Sequence, residues 1–214
     1  MPAPAPAPAP PPGPSRSRRD GAATREKLLR AALELYTTMG YHAATTPAIA
    51  ARAGVAEGTI YRHFRGKEQL LNAVYQEAHR RALGIVAGSE AERSLPAPER
   101  LERIGRGLLD LAHRDPAAAR ILFEARHERE VDEESRAAAR GFRSALEQVI
   151  AAGKSDGLVR AGPAELWAAV WLAVVALAAA RIGAREWTPD QPQTGLVLQA
   201  AWDAIKSGDV RERT

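Results

Sequence analysis

From about residue 22 onward, apolar side chains recur every three or four positions, and no stretch alternates with period two long enough to make a strand. The pattern predicts an all-α chain. A first helix is expected from Ala22 to Met39, with Leu28, Leu35 and Met39 on one stripe. It should stop at Gly40, a residue suited to the left-handed position that follows a helix. A second begins at "TTPAIAARAG", where Thr46 can cap free backbone N–H groups and Pro47 can take the first helical position, and it ends at Gly54. Only Gly54, Val55 and Ala56 separate it from a third helix, Glu57 to Phe64, and two short helices joined by so short a glycine-containing turn are a helix-turn-helix signature. A fourth runs from Lys67 to about Ile85. Beyond the loop "GSEAERSLPAPE" the expected helices lengthen: Pro98 to His113, Asp115 to His127, Asp132 to Ala152, Pro163 to Ile182 and Thr194 to Lys206. The chain therefore divides into a tail (1–19), a three-helix helix-turn-helix domain (20–66), a connecting helix (67–89) and a larger helical domain (90–214).

Composition changes this picture only locally. The 214 residues are 45% hydrophobic, enough for a real core, and their net charge of +4 names no partner by itself. The charge is unevenly placed. Residues 15–81 hold 12 basic and 6 acidic side chains, leaving 18 basic against 20 acidic elsewhere. With no cysteine, disulfides, thiolate metal sites and a cysteine nucleophile are excluded, and a cytoplasmic setting is expected. The opening "MPAPAPAPAPPPGPSRSRR" has prolines where a signal peptide needs an apolar helix, and reads as a polyproline-II tail with a basic arm. The apolar run "LWAAVWLAVVALAAA", Leu166 to Ala180, falls short of the roughly 20 residues that cross a bilayer, so a buried helix and no membrane partner are expected.

The third helix has few inward residues. At about 100° per residue Ile60 and Phe64 share one side, Thr59, Arg62 and His63 the other, and Tyr61 a flank. A major groove admits a helix, arginine pairs bidentately with guanine, and threonine can meet a thymine methyl or a polar base edge. Tyr61, His63 and Lys67 suit phosphates, and Thr46 can offer its hydroxyl and neighbouring N–H groups to a phosphate at the positive end of the second helix. An arm bearing Arg16, Arg18 and Arg19 can follow the minor groove or backbone. The pattern points to double-stranded DNA.

At these residues the chain resembles the tetracycline-repressor (TetR) family. The run "TTPAIAARAGVAEGTIYRHFRGKEQLL" carries Gly54-Val55, Gly58-Thr59, Tyr61, His63-Phe64 and Lys67-Glu68 in the family's register, and the likeness extends over about Thr24 to Tyr75. The resemblance implies phosphate contacts from Thr46, Tyr61, His63 and Lys67, and base or nearby backbone contacts from Thr59 and Arg62. It departs from the family at Ala56 and Gly66, where hydroxyl caps are usual, and at Glu57, where lysine is common.

In the larger domain the helix from Pro163 to Ile182 is apolar nearly all round and must be covered on more than one side. One cover can be the chain's own core and the other a second copy. Val170, Val174, Leu198, Trp202 and Ile205 are the candidate contacts of such a homodimer, which would set two recognition helices about one DNA turn or somewhat more apart on a pseudo-palindromic operator. The resemblance implies a four-helix dimer interface from the last two helices. It also implies a small-molecule effector in the carboxy-terminal domain, with Leu109, Phe123, Trp167 and Trp171 as candidate lining of a largely apolar pocket. Two carboxylate-x-x-His pairs, Asp110 with His113 and Glu124 with His127, have the spacing of metal sites in helical bundles. More carboxylates would be needed, and neither metal nor other cofactor is expected. Ser135 and Ser144 lack a glycine elbow, so no catalytic site is expected. The reading is a ligand-responsive transcriptional regulator, a repressor released by its effector; an effector-independent DNA-binding protein, or a helical metal-binding protein or enzyme, is the alternative.

Overall fold

A computed structural model describes residues 16–89, 94–124 and 130–208, with side chains from Asp20 onward. Among the described residues are nine α-helices and no strand, only an isolated bridge between Val159 and Lys206. They are α1 (Arg16–Thr38), α2 (Thr46–Ala53), α3 (Glu57–His63), α4 (Lys67–Gly88), α5 (Ala97–Arg114), α6 (Pro116–Phe123), α7 (Glu133–Ser155), α8 (Ala164–Gly183) and α9 (Pro192–Asp203). The first begins at Arg16 rather than Ala22, so 16–19 continue the helix instead of forming an extended arm.

Helices α1 to α3 pack into a small head, and α4 carries that head into the body. Spanning about 33 Å at 1.5 Å per residue, α4 touches α1 at one end and α5, α6 and α7 further along. No break in the core coincides with residue 90: one apolar cluster runs from Leu28 to Ile205. Head and body are also tied by polar links, Arg81 to Asp115 at 2.6 Å and Arg120 Nη1 to the Thr37 carbonyl at 3.2 Å. Between α1, α4 and α6 these links border an open groove of about 1270 Å³.

Helix α8 is longer than the apolar run suggested. Its 20 residues satisfy the length and composition of a membrane-crossing helix, contrary to the expectation from Leu166–Ala180 alone. It nevertheless contacts α5, α6, α7 and α9, and buries Ala168, Trp171, Val175, Ala178, Ala179 and Ile182 among them. Small residues permit such closeness. A Cβ on Gly105 of α5 would lie 2.5 Å from Leu198 Cδ2, and one on Gly153 of α7 would lie 2.6 Å from the Ala97 Cβ.

Candidate nucleic-acid interface

Helix α3 is held by two side chains, as its sequence requires. Ile60 and Phe64 are buried, and Arg25 of α1 stacks over the Phe64 ring at 5.2 Å from its centre. The opposite side is open: Tyr61 is 56% exposed, Arg62 is exposed without a partner among the described residues, and Thr59 and His63 are half-buried. The turn before α3 depends on Gly54, whose φ of 69° is left-handed and whose N–H closes α2 on Ala50 and Ala51. Ala56 gives α3 no side-chain cap, and Glu57 supplies a negative charge to its first turn instead.

The cap of α2 differs from expectation. Thr45 is the capping residue, its Oγ1 accepting from the Ala48 N–H at 3.3 Å, while Thr46 and Pro47 are the first two helical residues. Both proline positions are harmless, because the first four N–H groups of a helix have no intrahelical acceptor. The shift frees the Thr46 hydroxyl, which lies 3.4 Å from the Tyr61 hydroxyl. Two of the expected phosphate ligands, from different helices, are thus side by side.

Lys67 is less free than its sequence suggests. Its Nζ donates to the His42 carbonyl at 3.1 Å and sits 4.4 Å from the centre of the Tyr41 ring. Desolvation there holds its pKa below the ordinary lysine value. Burial, then Glu68 and Glu130, pushes the Tyr41 phenol up. Tyr36 beneath it donates to the Lys67 carbonyl at 3.2 Å, and burial, then Tyr41, raises its phenol far above the usual range. Lys67 therefore fastens the α1–α2 turn to the start of α4, with two ammonium N–H groups remaining for an anion.

The sequence over this head, residues 28–74, matches the family described as "Bacterial regulatory proteins, tetR family". This head is of the TetR type. Among TetR-type relatives, the transcriptional regulator UidR of Escherichia coli K12 is 38% identical over 60 residues, covering 28% of this chain and 31% of UidR. The transcriptional activator FasR of Mycolicibacterium smegmatis is 34% identical over 102 residues, covering 47% of this chain and 45% of FasR. The chain thus spans less than half the length of these curated relatives. Their names describe regulators of transcription, not enzymes. The TetR fold extends further: the crystal structure of a TetR-family transcription regulator from Marinobacter aquaeolei VT8 superposes with a TM-score of 0.74 at 22% identity, covering 89% of this chain and all of that one.

Outside the TetR head, the structure rearranges several expectations. Leu198 and Ile205 are buried in the chain's own core and cannot face a second copy, whereas Val170, Val174 and Trp202 are half-buried. The residues left open are others. Leu166, Ala169, Ala173, Leu177 and Ala180 form one exposed stripe along α8, and Leu196 of α9 is 70% exposed. The four pocket candidates are not gathered around a cavity. Leu109 and Trp171 are sealed in the core, Phe123 is half-buried at the end of α6, and Trp167 bonds the Ala161 carbonyl through its indole N–H beneath Arg160. The groove between α1, α4 and α6 is lined by none of them.

The first carboxylate-histidine pair is engaged by arginines instead of a metal-like cluster. Asp110 pairs with Arg114 at 2.9 Å, and the His113 ring lies 3.4 Å from Arg185, which donates to the His113 carbonyl. Glu124 ends α6, and His127 lies outside the described residues. Among the described residues, no three histidine, aspartate or glutamate side chains are grouped to hold a metal ion.

Proposed function

We propose that the chain is a cytoplasmic, homodimeric transcriptional regulator that binds a pseudo-palindromic operator in double-stranded DNA. The observation that carries this reading is the arrangement of α3: a helix anchored by Ile60 and Phe64, with Arg62 unengaged on its outer side and the paired Thr46 and Tyr61 hydroxyls at its flank. Arg62 and Thr59 read base edges, while Thr46, Tyr61, His63 and Lys67 hold phosphates and fix the register. The uncharged stripe of α8, with Leu196 of α9, supplies a self-complementary surface for a second copy, which doubles the reading head. The test is selection of bound fragments from genomic DNA, followed by titration of a selected duplex and a scrambled one. Preference for the selected duplex by at least about 10³-fold supports the reading, and equal affinities end it.

Control by an apolar effector that releases the operator is the finer part of the proposal. A ligand has that effect only by binding the arrangement unfit for DNA more tightly than the fit one. Phe123 and Trp167 are partly accessible, but sealed Leu109 and Trp171 must open for the expected pocket to form. That tight packing favours a second reading, an effector-independent DNA-binding protein. A metabolite screen for release of bound operator separates the two.

A further inference from the structure

We infer that Glu57 reads the exocyclic amino group of a cytosine in each half-site, which rests on the proposed operator binding by α3. The recognition helix of a helix-turn-helix presents its N-terminal residues to base edges, and here the first turn is Glu57, Gly58, Thr59 and Ile60. Ile60 is buried and Gly58 has no side chain, so Glu57 and Thr59 alone project from that turn. Glu57 is exposed, with no ion-pair partner among the described residues.

Gly58 supplies a second observation. A Cβ built there meets nothing within 4 Å, and its φ is not left-handed. Neither packing nor backbone geometry within the chain calls for glycine. The bare backbone leaves the space beside the Glu57 carboxylate open, and in the proposed complex the edge of a base pair fills it.

Such a carboxylate is repelled by every phosphate nearby, whatever the sequence. The repulsion is offset where the carboxylate accepts a hydrogen bond, and in the major groove the donors are cytosine N4 and adenine N6. Adenine presents N6 beside the N7 acceptor, a pair that suits a side-chain amide with both a donor and an acceptor. An ionised carboxylate accepts only, which favours cytosine.

The test is selection from a randomised duplex library with the full chain, its Glu57→Gln and Glu57→Ala forms, and thermal melts of all three. The native chain should enrich one cytosine, symmetrically placed in both half-sites, by on the order of tenfold over other bases. Glu57→Gln should change that preference to adenine, since an amide bonds N6 and N7 together, and Glu57→Ala should abolish it, with the remaining positions unchanged in both. Variants that keep the native preference at every position while binding all duplexes more tightly would overturn the inference and leave operator binding by α3 intact. A native chain that enriches no sequence would overturn both together.

Discussion

Replacing Leu177 by glutamate tests the α8 stripe as a meeting surface for two copies. Leu177 is 53% exposed, so about half of its surface remains to be covered. Fully burying a leucine contributes roughly 1.5–3 kcal/mol, so covering this half contributes about 0.8–1.6 kcal/mol per copy. A two-fold interface uses the residue twice, giving about 1.6–3.2 kcal/mol, which raises the dissociation constant of a dimer about 15- to 200-fold when lost. Two carboxylates facing each other across the axis add to that. The same residue makes no core contribution, so the melting temperature of the separated chain should hardly move. Sedimentation equilibrium of the native chain, Leu177→Ala and Leu177→Glu measures the effect directly. The reasoning is refuted if the native chain sediments at its single-chain mass of 23.0 kDa at micromolar concentration, or if all three forms dissociate alike.

Further expectations concern the supports of the head and body. Because the folded Tyr36 phenol is raised above the unfolded value near 10, the unfolded chain loses its proton first on alkalisation; stability is intact below about pH 10 and declines as pH rises beyond it. Urea midpoints of the native chain and Tyr36→Phe between pH 8 and 11 should show a steeper alkaline fall in the native chain, and parallel curves would count against this origin. Thr45→Ala removes the cap of α2 and should cost about 1 kcal/mol in urea unfolding, whereas Thr46→Ala should leave stability nearly unchanged and weaken DNA binding. Gly153→Ala forces a methyl group against the fixed Ala97 Cβ and should cost about 1–3 kcal/mol from overpacking, partly offset by better helix propensity. An unchanged urea midpoint for Gly153→Ala would mean that α5 and α7 do not approach so closely.

Local periodicity made the head legible. Ile60 and Phe64 four positions apart, with Tyr61 and Arg62 between them, dictate which side of so short a helix is buried, and the structure agrees. Adjacent threonines before a proline were ambiguous, because either hydroxyl can cap; Thr45 wins, and Thr46 is released toward Tyr61. In α8 and α9 periodicity is nearly silent. Apolar residues surround both helices, so only tertiary packing decides that Leu198 and Ile205 turn inward while Leu177 and Leu196 stay outside. The engagement of Lys67 by Tyr41 and His42 is likewise invisible in spacing, since it joins residues about 25 positions apart that meet only when α4 docks on the α1–α2 turn. The Asp110–His113 spacing is real but satisfied by neighbouring arginines, a competition that side-chain spacing alone does not reveal.

The most direct measurement compares the native chain with Arg62→Ala on a selected operator and on random duplex DNA at one fixed salt concentration. Loss of the exposed guanidinium should weaken operator binding by about 1–3 kcal/mol per recognised guanine and relax the base preference at that position, while changing affinity for random DNA far less. Equal weakening on both duplexes, or none on either, would show that Arg62 does not read sequence and would contradict the assignment of α3 as the reading helix.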